Sequence, residues 1–313
     1  MTRASGTIFP GPGAEGAGAQ PRNAPAAAGL EALAVLVNGA DAETIPVLDR
    51  GLHFGDGVFE TIACLHGRPR FLSLHLQRLE HGCRTLGIRA PASETLRAEV
   101  EGLAGSADRA IVKLIVTRGP ALLRGYAVSG REQATRVAIR YPWPVEDTAL
   151  QQQGVSVRVA AMRLGENPAL AGLKHCNRLE QILARNEPDG GGAAEALMLS
   201  RSGKLICGTM TNLFLVEGPP HLPRLRTPAM EECGVAGVMR RVVLREAASA
   251  GIPTAQCALW PADLAAASEL FLTNARVGIW PIARLGERTL EPGPVTRRLQ
   301  LLLQPLLEQP ADG

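Results

Sequence analysis

Gly172-Leu173-Lys174-His175-Cys176-Asn177-Arg178-Leu179-Glu180-Gln181 is the stretch on which the reading of this chain turns. It sets one lysine at the mouth of an apparent helix, directly after an Ala-Gly-Leu approach. An amine held there can form a Schiff base with an aldehyde cofactor and then move protons beside it. Spacing alone does not separate such a lysine from a solvated surface charge. Segments far away in sequence do.

Four of them matter. Asp49-Arg50-Gly51-Leu52-His53-Phe54-Gly55-Asp56-Gly57-Val58-Phe59-Glu60-Thr61 carries a Gly-x-Gly that lets backbone approach a ligand, or simply turns into a strand. His75-Leu76-Gln77-Arg78 puts Arg78 one helical turn after His75; a guanidinium there is a solvated charge or a fork for phosphate oxygens. Gly234-Val235-Ala236-Gly237-Val238-Met239-Arg240 runs a glycine-spaced loop into a helix, whose first N–H groups can bind an anion. Thr273-Asn274-Ala275-Arg276 follows a strand, where loops commonly carry ligand contacts.

The bulk of the chain narrows the classes. Its 313 residues are 46% hydrophobic and 20% charged, an ordinary globular mixture long enough for one large or two medium domains. A net charge of +3 with only 4% aromatics, and no basic run interleaved with them, argues against nucleic acid as a partner. Cys64, Cys83, Cys176, Cys207, Cys233 and Cys257 form no C-x-x-C pair, so neither a zinc site nor a disulfide scaffold is indicated, and a reducing cytoplasm fits. No apolar run is long enough to span a bilayer.

Organisation follows from composition and period. Residues 1–32 are Gly, Ala and Pro with almost no large apolar side chains and read as a disordered extension. An α/β pattern begins at Leu33: a strand to Val37, the turn Asn38-Gly39, then a hairpin of Val58–Leu65 with Arg70–Leu72 around His66-Gly67. Ser73 can cap a helix whose Leu72, Leu76, Leu79, Cys83 and Leu86 recur at helical spacing, and a second helix covers Glu94–Leu103. Ala110–Thr117 and Ala134–Tyr141 read as strands. Tyr141-Pro142-Trp143-Pro144 breaks the pattern, and polar Gln151–Gln153 continue a connector. The expected division is a small α/β domain over 33–145, a linker over 146–153 and a larger domain over 154–313. The latter holds strands at Val155–Ala161, Ala196–Leu199, Leu205–Cys207, Leu213–Val216 and Glu269–Thr273, with helices at Val238–Ala250 and Val295–Leu307.

In this order, the segments resemble the fold-type IV pyridoxal-phosphate enzymes, the family of branched-chain and D-amino acid aminotransferases and 4-amino-4-deoxychorismate lyase. The glycine-rich string through Thr61, the pair Thr117-Arg118-Gly119 and Arg124-Gly125-Tyr126, and Lys174 to Gln181 are most similar to the lyases of that family; the last string is the specific one, and the glycine-rich string is shared with the D-amino acid aminotransferases. The resemblance implies a two-domain α/β fold with a small N-terminal domain and a larger barrel-like one, a homodimer, and pyridoxal 5'-phosphate between the domains. It implies Lys174 as the Schiff-base lysine and Arg78 as the grip on the cofactor phosphate. The phosphate cup would be completed by Val238, Met239, Asn274 and Ala275. Arg124 and Tyr126 would receive a substrate carboxylate, with the loop able to come from the neighbouring subunit. The implied reaction is carbon–oxygen lysis of a small molecule; the rival on the same fold is amino transfer. One position departs from the pattern. Cys207 stands where relatives usually hold the pyridine nitrogen with a glutamate, and a neutral thiol offers that nitrogen no compensating charge.

Overall fold

The computed structural model describes residues 32–105, 107–144, 148–188 and 192–308. The expectation of disorder over 1–32 lies outside the described residues, except for its last position. Two sheets organise the chain.

The first contains β1 (Ala34–Val37), β2 (Ala40–Asp41), β3 (Gly57–Leu65), β4 (Arg68–Pro69), β5 (Arg109–Thr117) and β6 (Thr135–Pro142), in the order β2-β1-β6-β5-β3-β4. Asn38 and Gly39 both have positive φ, 53° and 84°, as the tight turn between β1 and β2 requires. Side chains alternate along β3 and β5. Val58, Ile62, Val112, Leu114 and Val116 face a core closed by α2 (Leu72–Leu86) and α3 (Ser93–Ala104). The opposite face of the sheet carries Phe59, Thr61, Lys113 and Ile115, with Phe59 paired to Ile115 and Thr61 to Lys113.

The second sheet contains β7 (Val155–Leu164), β8 (Glu195–Ser200), β9 (Leu205–Gly208), β10 (Asn212–Glu217), β11 (Arg224–Pro228), β12 (Thr254–Cys257), β13 (Glu269–Asn274), β14 (Gly278–Leu285) and β15 (Arg288–Thr289). Eight of these run β12-β11-β10-β13-β14-β7-β8-β9, with β15 beside β14. The sheet curls into a half-barrel. Leu213, Leu215, Leu270 and Leu272 fill its inner face with residues of β7, β8 and β14. The intervening Phe214 and Phe271 stack at 4.9 Å on the outer face, under α6 (Val238–Ser249) and α8 (Pro294–Glu308). Phe71 and Leu74, at the start of α2, insert into this same outer cluster and join the two sheets. Burying each large side chain there contributes roughly 1.5–3 kcal/mol.

Four local expectations are corrected. Arg70–Leu72 is not a hairpin strand: β4 ends at Pro69, and Phe71 turns the chain at φ 54° so that its ring can be buried. Ser73 does not cap α2, which begins at Leu72; its hydroxyl instead accepts from Arg97 Nη2 at 2.8 Å. Gln151–Gln153 end a short helix, α4 (Thr148–Gln153), whose Gln151 carbonyl accepts from Arg297 and Gln300 of α8. Finally, the helix after Lys174, α5 (Leu179–Arg185), starts five residues later than the sequence suggested. A further short helix, α1 (Arg50–Phe54), precedes β3.

Candidate active site

Lys174 is presented by an extended segment lying against β3, not by a helix. Phe59 N donates to Lys174 O at 3.0 Å, Cys176 N donates to Gly57 O at 2.9 Å, and Val58 and His175 form a bridge between them. This pairing puts Lys174 on the face of Phe59, and its Nζ lies 4.4 Å from the centre of that ring. Upstream, Gly172 bridges Val235, and Ala236 N donates to Gly172 O at 3.0 Å. The lysine segment is therefore fixed between the first sheet and the loop that enters α6.

Burial and the nearby Arg78 charge lower the Lys174 amine to about 7, with Arg178 and Lys113 adding to the effect and Glu60 opposing it. Near neutral pH it is populated as the free base that nucleophilic or proton-transfer chemistry needs.

Arg78 projects from α2 onto Glu60, on the core side of β3. Its Nε donates to Glu60 Oε1 at 2.7 Å, its Nη2 donates to Glu60 Oε2, and its Nη1 donates to Ala236 O at 3.0 Å. His75 Nδ1 shares the same carboxylate at 2.6 Å. Arg78 is thus a held group, not a solvated helix charge. Burial pushes the Glu60 carboxyl up, but the Arg78 and His75 partners win and hold it at about 2. Glu60 was present in the sequence motif without an assigned role; its alternation with Phe59 along β3 was the signal that it belonged on the other face.

The loop before α6 is shaped by Asn212, whose Nδ2 donates to Val235 O at 2.9 Å. A Cβ on Gly237 would fall 2.0 Å from Asn212 Oδ1, which explains the glycine there. Gly237 is the N-cap residue and no side chain caps the helix, so Val238 and Met239 offer their amides at its first two positions. A cleft of about 600 Å³ opens between α2 and α6, lined by Arg78, Gly237 and Val238 among others. Asn274 ends β13, and its Oδ1 accepts from Arg276 N and Val277 N at 3.0 Å each, fixing the turn that contains Ala275. Asn274 Nδ2 reaches Met210 O at 3.5 Å, which ties this turn to the segment after β9.

Cys207 lies in β9, 5% exposed, packed with Ala160, Met198, Ile206 and Cys233. Burial pushes its thiol up to about 12, so it is neutral. The carboxylate next in this region is Glu195, which accepts from Thr209 N at 3.0 Å, Met210 N at 3.1 Å and Thr211 Oγ1 at 3.0 Å. Glu195 thereby builds the turn leading to Asn212. Arg124 and Tyr126 are not brought to Lys174 within this chain: both are exposed, Tyr126 by 84%, on the loop after β5. That loop is held from behind. Arg50 donates to the carbonyls of Gly125, Tyr126 and Ala127 at 3.1, 3.1 and 3.3 Å, and Asp56 joins Arg50 to Arg118.

An amine lowered to about 7 beside an anchored guanidinium and an uncapped helix start defines a site for an anionic electrophile. The chain belongs to the class IV amino-transferase family, whose model matches residues 57–285. It is 35% identical to an aminodeoxychorismate lyase of Vibrio harveyi over 84% of this chain and 97% of that protein. It is 30% identical to a putative branched-chain-amino-acid aminotransferase of Methanocaldococcus jannaschii, over 82% of this chain and 88% of that one. The crystal structure of 4-amino-4-deoxychorismate lyase from Pseudomonas aeruginosa matches with a TM-score of 0.82 and 43% identity, covering 88% of this chain and 99% of that one.

Proposed function

We propose that this chain is a pyridoxal-phosphate-dependent lyase that converts 4-amino-4-deoxychorismate to 4-aminobenzoate and pyruvate. The observation that carries the reading is the Lys174 amine, set over Phe59 and lowered to about 7, in a chain that spans 99% of a lyase structure at 43% identity.

The residues present fit the cofactor. A phosphate monoester needs several convergent N–H donors, and Arg78 with the Val238 and Met239 amides can supply them, joined by Asn274 and Ala275. Three of the Arg78 N–H groups are engaged, which leaves the rest of the fork for the phosphate. The aldehyde would be held by Lys174. Cys207 would border the cofactor as a neutral, apolar wall. When bound, pyridoxal phosphate supplies an aldehyde for the substrate amine and a conjugated ring that withdraws electrons from the neighbouring carbon.

Lys174 does the proton work. Displaced by the substrate amine, its Nζ takes the proton from the ring carbon that bears nitrogen. It then returns a proton to the departing enolpyruvyl group as the carbon–oxygen bond breaks. The ring becomes aromatic, and the released enol becomes pyruvate; no oxidant or water is consumed. Because aromatisation drives the elimination, the step leans less on a charged partner at Cys207 than amino transfer would.

The finer assignments belong to the same proposal. Residues 33–145 and 154–313 form two units joined through 146–153, with the site between them. The protein works as a homodimer, supported by the exposed Val47, Leu48, Leu52, Leu122 and Leu123 around the loop of Arg124 and Tyr126. Arg124 and Tyr126 then meet the substrate from the partner subunit. A cytoplasmic setting suits six free cysteines, and among the described residues no helix is long and apolar enough to cross a membrane.

The test is turnover of 4-amino-4-deoxychorismate followed by 4-aminobenzoate fluorescence, with borohydride reduction and peptide mapping of the holoprotein. Lys174→Ala should lower kcat by at least about 10³-fold while the protein stays folded. Failure to form 4-aminobenzoate, together with steady amino transfer to a 2-oxo acid, would establish the rival activity instead.

A further inference from the structure

The cleft between α2 and α6, about 600 Å³ in volume, reaches past the phosphate cup proposed above. It shares Arg78, Gly237 and Val238 with that cup, but Lys174, Asn274 and Ala275 do not line it. Its walls follow from helical spacing. Leu74, Gln77 and His81 recur along one face of α2, and Arg241 and Leu244 border the cleft from α6. Arg241 Nη1 donates to Gln77 Oε1 at 3.1 Å and joins the two helices.

The charge in this cleft is unbalanced. Arg78, Arg240, Arg241 and the His81 ring line it, and among the described residues no aspartate or glutamate does. Arg78 has Glu60 as its anion. Arg240 has none. It is 6% exposed; its Nε donates to Thr227 Oγ1 at 3.3 Å and its Nη2 to the Pro228 carbonyl at 2.8 Å. Among the described residues its Nη1 has no partner, and the side chain borders the cleft. Burial lowers the guanidinium to about 10 with no carboxylate opposing it, so it stays charged at neutral pH. A cation buried without an anion is costly. Arg240 also sits in the first turn of α6, where the helix start carries partial positive charge and no acidic residue stands. An anion entering the cleft offsets both costs.

We propose that this cleft is a second ligand site, taking a small organic phosphate whose phosphoryl group meets Arg240 and Arg241 and whose apolar body lies against Leu74, Met230 and Leu244. A phosphoryl group offers one more acceptor oxygen than a carboxylate, so it can accept from both guanidinium groups and the His81 ring together. The volume lies within the range of small-molecule pockets. Such a ligand bridges α2, which carries Arg78, to α6, whose start offers the Val238 and Met239 amides to the cofactor. Its binding favours retention of the cofactor, and by linkage the cofactor favours the ligand. The site does not depend on which reaction Lys174 serves.

The test uses holoprotein reduced with borohydride, so that the cofactor stays fixed in its own phosphate cup. Phenyl phosphate should bind saturably by calorimetry, about tenfold or more tighter than inorganic phosphate or benzoate. Gln77→Glu sets a carboxylate beside Arg241, and Arg241→Gln removes the charge. Each should weaken binding about tenfold or more, with circular dichroism and cofactor absorbance unchanged. Arg240→Met should do the same; because Arg240 also holds Thr227 and Pro228, the variants at exposed Gln77 and Arg241 decide the matter if it fails to fold. In unreduced holoprotein, phenyl phosphate should slow release of the cofactor at least about fivefold. No saturable binding to the reduced protein, or binding that Gln77→Glu and Arg241→Gln leave intact, overturns the site. So does faster cofactor release, which marks competition for the cup. Should the chain take up no pyridoxal phosphate, that reading falls on its own; the cleft is then judged by phenyl phosphate binding to the untreated protein and its loss in Gln77→Glu.

Discussion

Lys174 owes its reactivity to position more than to its own chemistry. Partial burial and the Arg78 guanidinium bring it to about 7, so in cofactor-free protein the amine should pass from protonated to neutral through that pH. Its attack on added pyridoxal phosphate should therefore quicken as pH rises from about 6 to 8 and level off above, monitored by the change in cofactor absorbance. A rate still climbing at pH 10 would show an ordinary lysine. The candidacy of this residue was legible only when the string from Gly172 to Gln181 was read with the distant segments around Arg78, Gly237 and Asn274, because a lysine on its own is more often a surface charge. Its setting was not. Neither Phe59 under the amine nor Lys113 across the ring can be seen until β3 and β5 are brought into register, and Phe59 and Lys113 lie more than 50 residues apart in sequence.

β3 is the element on which the site is built, and Gly57 is its narrowest point. A Cβ there would lie 2.7 Å from the Val116 carbonyl oxygen, a backbone atom that cannot step aside. Gly57→Ala should force β3 away from β5 and cost about 2–3 kcal/mol of stability. Cys176 N also bonds to Gly57 O, so cofactor occupancy should fall along with the denaturation midpoint. Absorbance and unfolding curves on one preparation read both. Strands and helices with clean periods, such as β3, β5, α2 and α6, could be read from sequence to within a few residues. Others could not. Pro281 lies inside β14, where a proline argues against a strand; the pairing of β14 with β7 begins only at Ile282, past that position. β11 and β12 are short and carry polar residues at alternate positions, too little pattern to exceed that of a loop.

Across the whole molecule, Glu60 and Arg78 act as a bolt between the two sheets, since Arg78 also donates to Ala236 at the entry to α6. The folded-state value for Glu60 is about 2, below its ordinary 4.5. The pair therefore contributes its full stability above roughly pH 4.5 and loses it as pH falls toward 2. Glu60→Gln should cost about 3 kcal/mol at neutral pH by leaving Arg78 and His75 without their anion, and should flatten that acid dependence; urea unfolding at several pH values checks both. The three loop carbonyls gripped by Arg50 bear on assembly. In the homodimer proposed above, a surface fastened that firmly before encounter would lose little further freedom when the second copy arrived, so two subunits would meet there as preshaped solids, without the ordering cost of folding upon contact.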